Sequence, residues 1–425
     1  MGSEMCIRDS VLTILDLAGI PFLASDRDAS HPLIIAGGPC TCNPEPVADF
    51  FDALVVGDGE NTILQMAEVW LNWHTDPAAD RLALLQRWSK IEGVYIPSFF
   101  DPRFDTNGFQ TVVPRMTDYT RVQRAIVGDL DEIPFPEKPI IAYGRPIHDR
   151  LRLEVSRGCT RGCRFCQAGM IYRPVRERSP EQLMSLAARS IGATGYEDIS
   201  LLSLSTGDYG CIAPLMEQLM VSFEADNVAI SLPSLRAGTL TPELMKQIKK
   251  VRKTGFTIAP EAGSQRLRDV INKNISEDEI ISTVQNAFDL GWQVIKLYFM
   301  IGLPTETEED LEALVALVKN LRKIKGPGSR RSKINVSVAT FIPKAHTPFQ
   351  WAHQLSLAES TSKINWLQHQ LRLPGIQFKW QNPEVSWLEV LWARGDRRLI
   401  RLLIAAYNKV CKFDGWSDLF NYPDW

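Results

Sequence analysis

From Leu151 onward, short apolar runs alternate with capped amphipathic helices, and this alternation restricts the fold more than any other feature of the chain. Strands are expected at 151–156, 198–204, 227–232, 255–259, 293–299 and 335–341. The helix starts are legible between them. Ser179-Pro180-Glu181-Gln182, Thr241-Pro242-Glu243, Ser276-Glu277-Asp278-Glu279 and Thr305-Glu306-Thr307-Glu308 each join an N-cap residue to a first-position Pro or to a Glu or Gln three residues on. Strands alternating with helices imply parallel βαβ units. Six such units make an α/β fold of the partial (β/α)6 barrel type. Barrels of this kind carry their chemistry at the C-terminal ends of the strands, so the loops that come after each strand are the places to search.

The loop after the first strand reads Cys159-Thr-Arg-Gly-Cys163-Arg-Phe165-Cys166. Three thiolates can hold three irons of a cubic 4Fe-4S cluster, and with no fourth cysteine at ligand spacing one iron stays open. A zinc knuckle is the alternative, but structural zinc takes four ligands. His148 and Cys211 are the only candidates for the fourth, and both are badly spaced. The spacing C-x3-C-x2-C, with the aromatic Phe165 before the last Cys, resembles the signature of the radical S-adenosylmethionine (SAM) enzymes. The resemblance implies that Cys159, Cys163 and Cys166 are the catalytic metal ligands and that SAM chelates the open iron through its amino and carboxylate groups. Electron transfer into the sulfonium would then release a 5'-deoxyadenosyl radical. An external donor of the flavodoxin or ferredoxin kind is implied as well.

The later strand ends supply polar groups for SAM. Leu204-Ser-Thr-Gly207-Asp208-Tyr209 occupies the place of the family's GGE turn, whose backbone and acid receive the methionyl ammonium; an ordinary turn is the alternative. After the third strand, Ser234 offers a hydroxyl and Arg236 a guanidinium suited to a carboxylate, unless Arg236 is simply a surface residue. Ala259-Pro-Glu261-Ala-Gly263-Ser264 is similar to the QSG turn of methylthiotransferase-like members, a site that meets ribose or substrate; Glu261 could equally serve as a helix N-terminal charge. Ile301-Gly302-Leu-Pro304 looks like the GxP turn whose backbone lies against adenine, where Gly302 allows a close approach.

Upstream, Pro32–Ala36 and Ala53–Val56 read as strands ending in glycine turns, part of an open α/β sheet. This segment resembles the second half of the cobalamin-binding-type domain that precedes many radical SAM cores. Only half is present, which predicts an N-terminally incomplete chain whose first ten residues, Met1 to Ser10, do not join naturally to the helix-like run from Val11. The cobalamin-ligating pattern D-x-H-x-x-G is missing, since none of the six His has Asp two residues before it, so no cobalamin is expected. Gly57-Asp58-Gly59-Glu60 reads as a tight turn, with a phosphate cradle as the alternative. The expected domains are a truncated cobalamin-binding-like domain at 1–96, a linker at 97–148, the core barrel at 149–375 and a C-terminal extension at 376–425. That extension is read as a Trp-rich helical tail, since seven of the eleven Trp come after residue 350, packed as an aromatic cap or exposed as a base-stacking platform.

Composition narrows the function. At 425 residues, 45% hydrophobic and 23% charged, the chain can bury a full core. Its net charge of −3 gives no global attraction to nucleic acid or membrane. The exception is local: Lys319 to Lys333 carries seven Lys or Arg and no acid, a solvated loop or a phosphate-backbone contact. No run of 18 apolar residues exists, so no membrane partner is expected. The remaining cysteines, Cys6, Cys40, Cys42, Cys211 and Cys411, form no disulfide framework, which suits a reducing cytoplasm. The reading is a cytoplasmic enzyme that cleaves SAM to start radical chemistry on an unknown substrate, by analogy the methylthiolation or methylation of RNA or protein. The competing reading is a zinc- or cluster-stapled nucleic-acid-binding module without catalysis.

Overall fold

The computed structural model describes residues 3–425 apart from 76–79, 145, 147–148, 233–235, 239–255 and 327–332. The chain divides into two compact units, one formed by Met1–Gly128 with Trp387–Trp425 and the other by Asp129–Ser386. The boundaries expected at 96, 148 and 375 do not coincide with this division, because most of the segment read as a linker and most of the C-terminal segment fold with the N-terminal residues.

The first unit opens with α1 (Ser3–Leu17), which runs without a break across the junction expected at Ser10. A small sheet comes next, with β1 (Ile35–Ala36) parallel to β2 (Ala53–Val55). The helices α2 (Glu60–His74) and α3 (Arg81–Trp88) lead to β3 (Val94–Tyr95), which pairs antiparallel with β2. A hairpin of β4 (Phe100–Phe104) and β5 (Gln110–Pro114) completes this part of the chain. Asp52 ties β1 to β2: it is 4% exposed, pairs with both Arg27 and Arg81, and accepts the Ile34 N–H at 2.8 Å. The turn at Gly57 is structural. Its φ is +108°, and a Cβ there would stand 2.2 Å from the Ala125 carbonyl, so residues 124–125 fill the space that a phosphate would need.

The second unit begins its sheets with β6 (Leu151–Glu154). The short strands β7 (Ser156–Arg157) and β8 (Arg176–Glu177) pair antiparallel around the cysteine loop, which contains α4 (Ala168–Ile171). Then α5 (Pro180–Thr194), β9 (Asp198–Leu202), α6 (Ile212–Phe223) and β10 (Ala229–Ser231) succeed one another. After them come β11 (Phe256–Glu261), α7 (Gln265–Val270), α8 (Glu277–Asp289), β12 (Val294–Ile301), α9 (Glu308–Lys323), β13 (Lys333–Thr340), α10 (Leu357–Gln370) and β14 (Ile376–Trp380). The described strands form one sheet ordered β10-β9-β6 and another ordered β11-β12-β13-β14, with every neighbouring pair parallel.

The helices bury one stripe each, as in α5, where Leu183, Leu186, Ala187 and Ser190 sit at the i, i+3, i+4, i+7 positions of a single face. These stripes and one face of each sheet share a continuous core in which Ile199, Leu201, Ile295, Leu297, Ile334, Leu215, Val284 and Val318 are all fully buried. Each such side chain stabilises the fold by roughly 1.5–3 kcal/mol relative to exposure. Among the described residues, seven strands stand in these two parallel sheets where six were expected. The additional one, β14, begins at the residue taken as the start of the tail, and its Ile376 and Phe378 pack on the core from the sheet edge.

The expected cap at Ser276 is present as a full capping box with Glu279. The cap expected at Thr305 falls instead on Thr307, boxed with Asp310, because Glu306 turns back to accept the Gly302 N–H at 2.9 Å and cannot enter the helix. The start expected at Thr241 lies outside the described residues.

The chain ends with α11 (Pro383–Arg394) and α12 (Leu399–Asn408). Arg397 is the main polar tie between this tail and the rest of the first unit, reaching the Glu45 carboxylate at 2.9 Å and the Tyr95 hydroxyl at 2.9 Å. The seven late tryptophans do not form one cap. Trp351, Trp366 and Trp380 belong to the second unit, Trp416 is 71% exposed, and Trp392 is buried edge-on to Trp425 at 5.6 Å.

Candidate active site

The cysteine loop is shaped by backbone first. Gly158 has φ +95°, and a Cβ on it would meet the Tyr172 carbonyl at 2.6 Å, so the chain leaves β7 along a path closed to other residues. The far side of the loop is clamped by the turn after α7. Asn272 donates to the Gly162 carbonyl at 2.9 Å, and the Arg164 N–H reaches the Ile271 carbonyl at 3.0 Å. Asn272 and Asn274 can shape this turn because both hold left-handed φ, 55° and 49°, which asparagine tolerates better than most residues. Phe165 anchors the middle, packing against a cluster of Ala262, Leu267, Ile271, Leu303 and Phe341. The residues beyond β11, β12 and β13 thus meet on this one ring.

All three motif cysteines are free and half-buried. Burial pushes the thiols of Cys163 and Cys166 up, while Lys273 works against this at both and Arg236 at Cys163. The Gly169 N–H points at the Cys166 sulfur, 3.4 Å away, and also favours its thiolate. Among the described residues, no three His, Cys, Asp or Glu crowd together as ligands of a single metal ion. Three thiols in one loop suit a cluster, which gives each thiolate its own iron, and fall one short of the four ligands of structural zinc. Of the two zinc candidates, Cys211 is exposed at the start of α6 and His148 lies outside the described residues.

The strand-end residues are brought to the loop in different ways. Asp208, in the turn with Gly207, is gripped by both arms of Arg161, with Nε at 2.7 Å, and accepts the Ser205 hydroxyl at 2.6 Å. Burial alone would raise its carboxyl, but these bonds outweigh that and hold it below the ordinary value. Arg236 is 8% exposed, which removes the surface reading; it donates to the Asn274 carbonyl at 2.8 Å. Asn274 belongs to the same turn whose Asn272 holds the Gly162 carbonyl, so this bond ties Arg236 to the turn that clamps the cysteine loop. Glu261 stands at a bulge in β11 with φ +69° and pairs with Lys273 at 3.1 Å, so it is not a helix N-terminal charge. Gly302, with φ +77°, lies against Leu355, whose side chain a Cβ would meet at 2.6 Å. Ser234 lies outside the described residues.

Two residues escaped the sequence reading: Arg161, inside the motif itself, and Lys273, which ion-pairs with Glu261 and stands 6.0 Å from the Phe165 ring. The Asn-Lys-Asn turn at 272–274 was the available signal for Lys273, since paired asparagines mark left-handed backbone.

The fold and this thiol-bearing strand end define a radical SAM enzyme, and the chain belongs to that superfamily. The pattern described as "Radical SAM superfamily" matches residues 153–318, and "Radical SAM proteins, N-terminal" matches residues 1–97. The uncharacterised protein MJ0966 of Methanocaldococcus jannaschii is 34% identical over 89% of this chain and 74% of its own length. The ribosomal protein uS12 methylthiotransferase RimO of Caldicellulosiruptor saccharolyticus is 27% identical over 39% of this chain and 40% of its own. Among solved structures, the radical SAM methyltransferase TsrM of Kitasatospora setae, with cobalamin and a 4Fe-4S cluster bound, aligns at a TM-score of 0.50 and 13% identity, covering 75% of this chain. The chain spans 56% of that protein and 40% of the methylthiotransferase. Membership implies a 4Fe-4S cluster, SAM and a source of electrons. No helix among the described residues is long and apolar enough to cross a membrane.

Proposed function

We propose that the chain cleaves SAM reductively at a cluster held by Cys159, Cys163 and Cys166, and that it methylates or methylthiolates RNA or protein. The observation that carries the reading is the loop itself: three free thiols in the one loop between β7 and β8, clamped on both sides, with Arg236 and Lys273 acting on them. When bound, the cluster supplies the electron that splits the sulfonium into methionine and a 5'-deoxyadenosyl radical.

The protein's part is to bind and orient. Arg236 presents a guanidinium for the SAM carboxylate, a geometry that a lysine does not reproduce. Ser234 is its proposed companion. Asp208 serves through Arg161, whose grip on it fixes the cysteine loop, and Gly207 lets that turn pass close by. Glu261, held by Lys273, faces the ribose side, and the Gly302 turn lies toward adenine. Phe165 excludes water from the base of the loop. The transfer chemistry is supported by the names of the relatives, and the electron donor is proposed to be flavodoxin- or ferredoxin-like.

The test is anaerobic reconstitution followed by a strong reductant, with methionine and 5'-deoxyadenosine as products. Cys163→Ala should lose iron and both products together; retention of a full cluster and of SAM cleavage would remove Cys163 from the ligand set. No cobalamin is proposed for this chain, since the D-x-H-x-x-G pattern is lacking. Stoichiometric cobalamin retained through gel filtration of the same protein would overturn that point.

A further inference from the structure

Parallel sheets in α/β proteins are covered on both faces, and their strands read as continuous apolar runs. The sheet β11-β12-β13-β14 departs from this. On one face Ile295, Leu297, Phe299, Ile334, Val336 and Val338 are each at most 1% exposed. On the other face the central positions of three strands are polar. The register aligns Lys296 with Asn335 and Gln377 in one row, and Tyr298 with Ser337 and Lys379 in the next. Lys296, Gln377 and Lys379 are exposed, Asn335 and Ser337 are half-buried, and Tyr298 is 44% exposed. Among the described residues none forms an ion pair with either lysine.

Strands lie about 4.8 Å apart and rise about 3.3 Å per residue, so the two lysine Cα atoms are roughly 12 Å from each other along the diagonal of this grid. Two four-carbon stems can bring their ammonium groups to one anion over that distance. Tyr298 stands two residues from Lys296 on the same strand and in the row of Lys379, and offers a ring face, while Asn335 and Gln377 offer amide donors and acceptors. Cations for a phosphate, an aromatic platform and amides for a base edge are together the groups that recognise a nucleotide in a single strand of RNA.

We propose that this face of the four-stranded sheet binds a nucleotide of single-stranded RNA, with its phosphate on Lys296 and Lys379 and its base on Tyr298. The proposal rests on the RNA branch of the function proposed above and names the surface that would receive the substrate.

The test uses the full chain with its cluster reconstituted, a fluorescein-labelled mixed-sequence RNA 12-mer read by anisotropy at fixed salt, and AMP read by equilibrium dialysis. Lys296→Gln, Lys379→Gln and Tyr298→Ala should each weaken RNA binding about tenfold. Lys296→Arg should keep most of it, and Lys138→Gln, at an exposed site in the same unit, should leave it unchanged. Iron content and SAM cleavage should be as in the parent protein for all of these variants. Equal losses in the control, or none in the three test variants, would overturn the assignment, and AMP binding with this residue dependence but without RNA binding would overturn RNA as the source. A parent protein that binds RNA through these residues yet holds no iron would leave this inference standing and sink the enzyme reading instead.

Discussion

Lys273 shows how much of a candidate site can lie beyond a motif. Its ammonium sits 3.1 Å from Glu261 and 6.0 Å from the Phe165 ring, and it is one of the charges that favour the thiolates of Cys163 and Cys166. A positive charge there favours the reduced, more negative form of a bound cluster. Lys273→Gln is therefore expected to make the cluster's potential more negative by tens of millivolts, the size a single charge exerts at an effective dielectric constant of about 20. Glu261, left unpaired, pushes the same way. A redox titration followed by electron paramagnetic resonance checks this, and an unchanged potential would reduce the pair to scaffolding. The three cysteines proposed to hold the cluster stand out in the sequence because they share one short loop. Lys273 and Arg161 do not, because their partners lie 12 and 47 residues away and only the fold joins them.

At the level of elements, the chain was most readable where local hydrogen bonding decides. Ser276 lies 3.1 Å from the Glu279 N–H and receives the Glu279 carboxylate in return at its own N–H, 2.7 Å away, a closed exchange that four residues of sequence are enough to specify. Ser276→Ala should cost about 1 kcal/mol, which for a unit of this size lowers the melting temperature by roughly 2–4 °C. A thermal scan showing no change would mean that Glu279 or water replaces the lost acceptor. Where a tertiary contact competes, local rules gave the wrong boundary. Glu306 has the composition of a first helical turn but binds the Gly302 N–H and Lys363, and the helix starts two residues later. The strand β14 was missed for a related reason, since its five residues expose Gln377, Lys379 and Trp380 and carry the apolar signal of only half a strand.

Across the whole molecule, residues 387–425 fold with residues 1–128 while residues 129–386 form a unit of their own. The two ends of the chain meet in a polar knot in which Arg397 binds Glu45, Tyr95 and the carbonyls of Pro97 and Phe100. Ending the chain after Ser386 should destabilise the first unit selectively, because Glu45 would lose its buried cationic partner. Limited proteolysis should then cut within residues 1–128 and spare 129–386; equal protection of both would show that the tail is dispensable. The same arrangement sets an order of events at the ribosome. The contiguous unit, with its thiols, is fully synthesised before the last segment of its neighbour exists, and domains generally fold as units in the order they emerge. Loading of the cluster proposed for the cysteine loop can therefore begin on a nascent chain whose residues 1–128 are still waiting for their partner segment, and a translational pause near residue 387 would lengthen that interval.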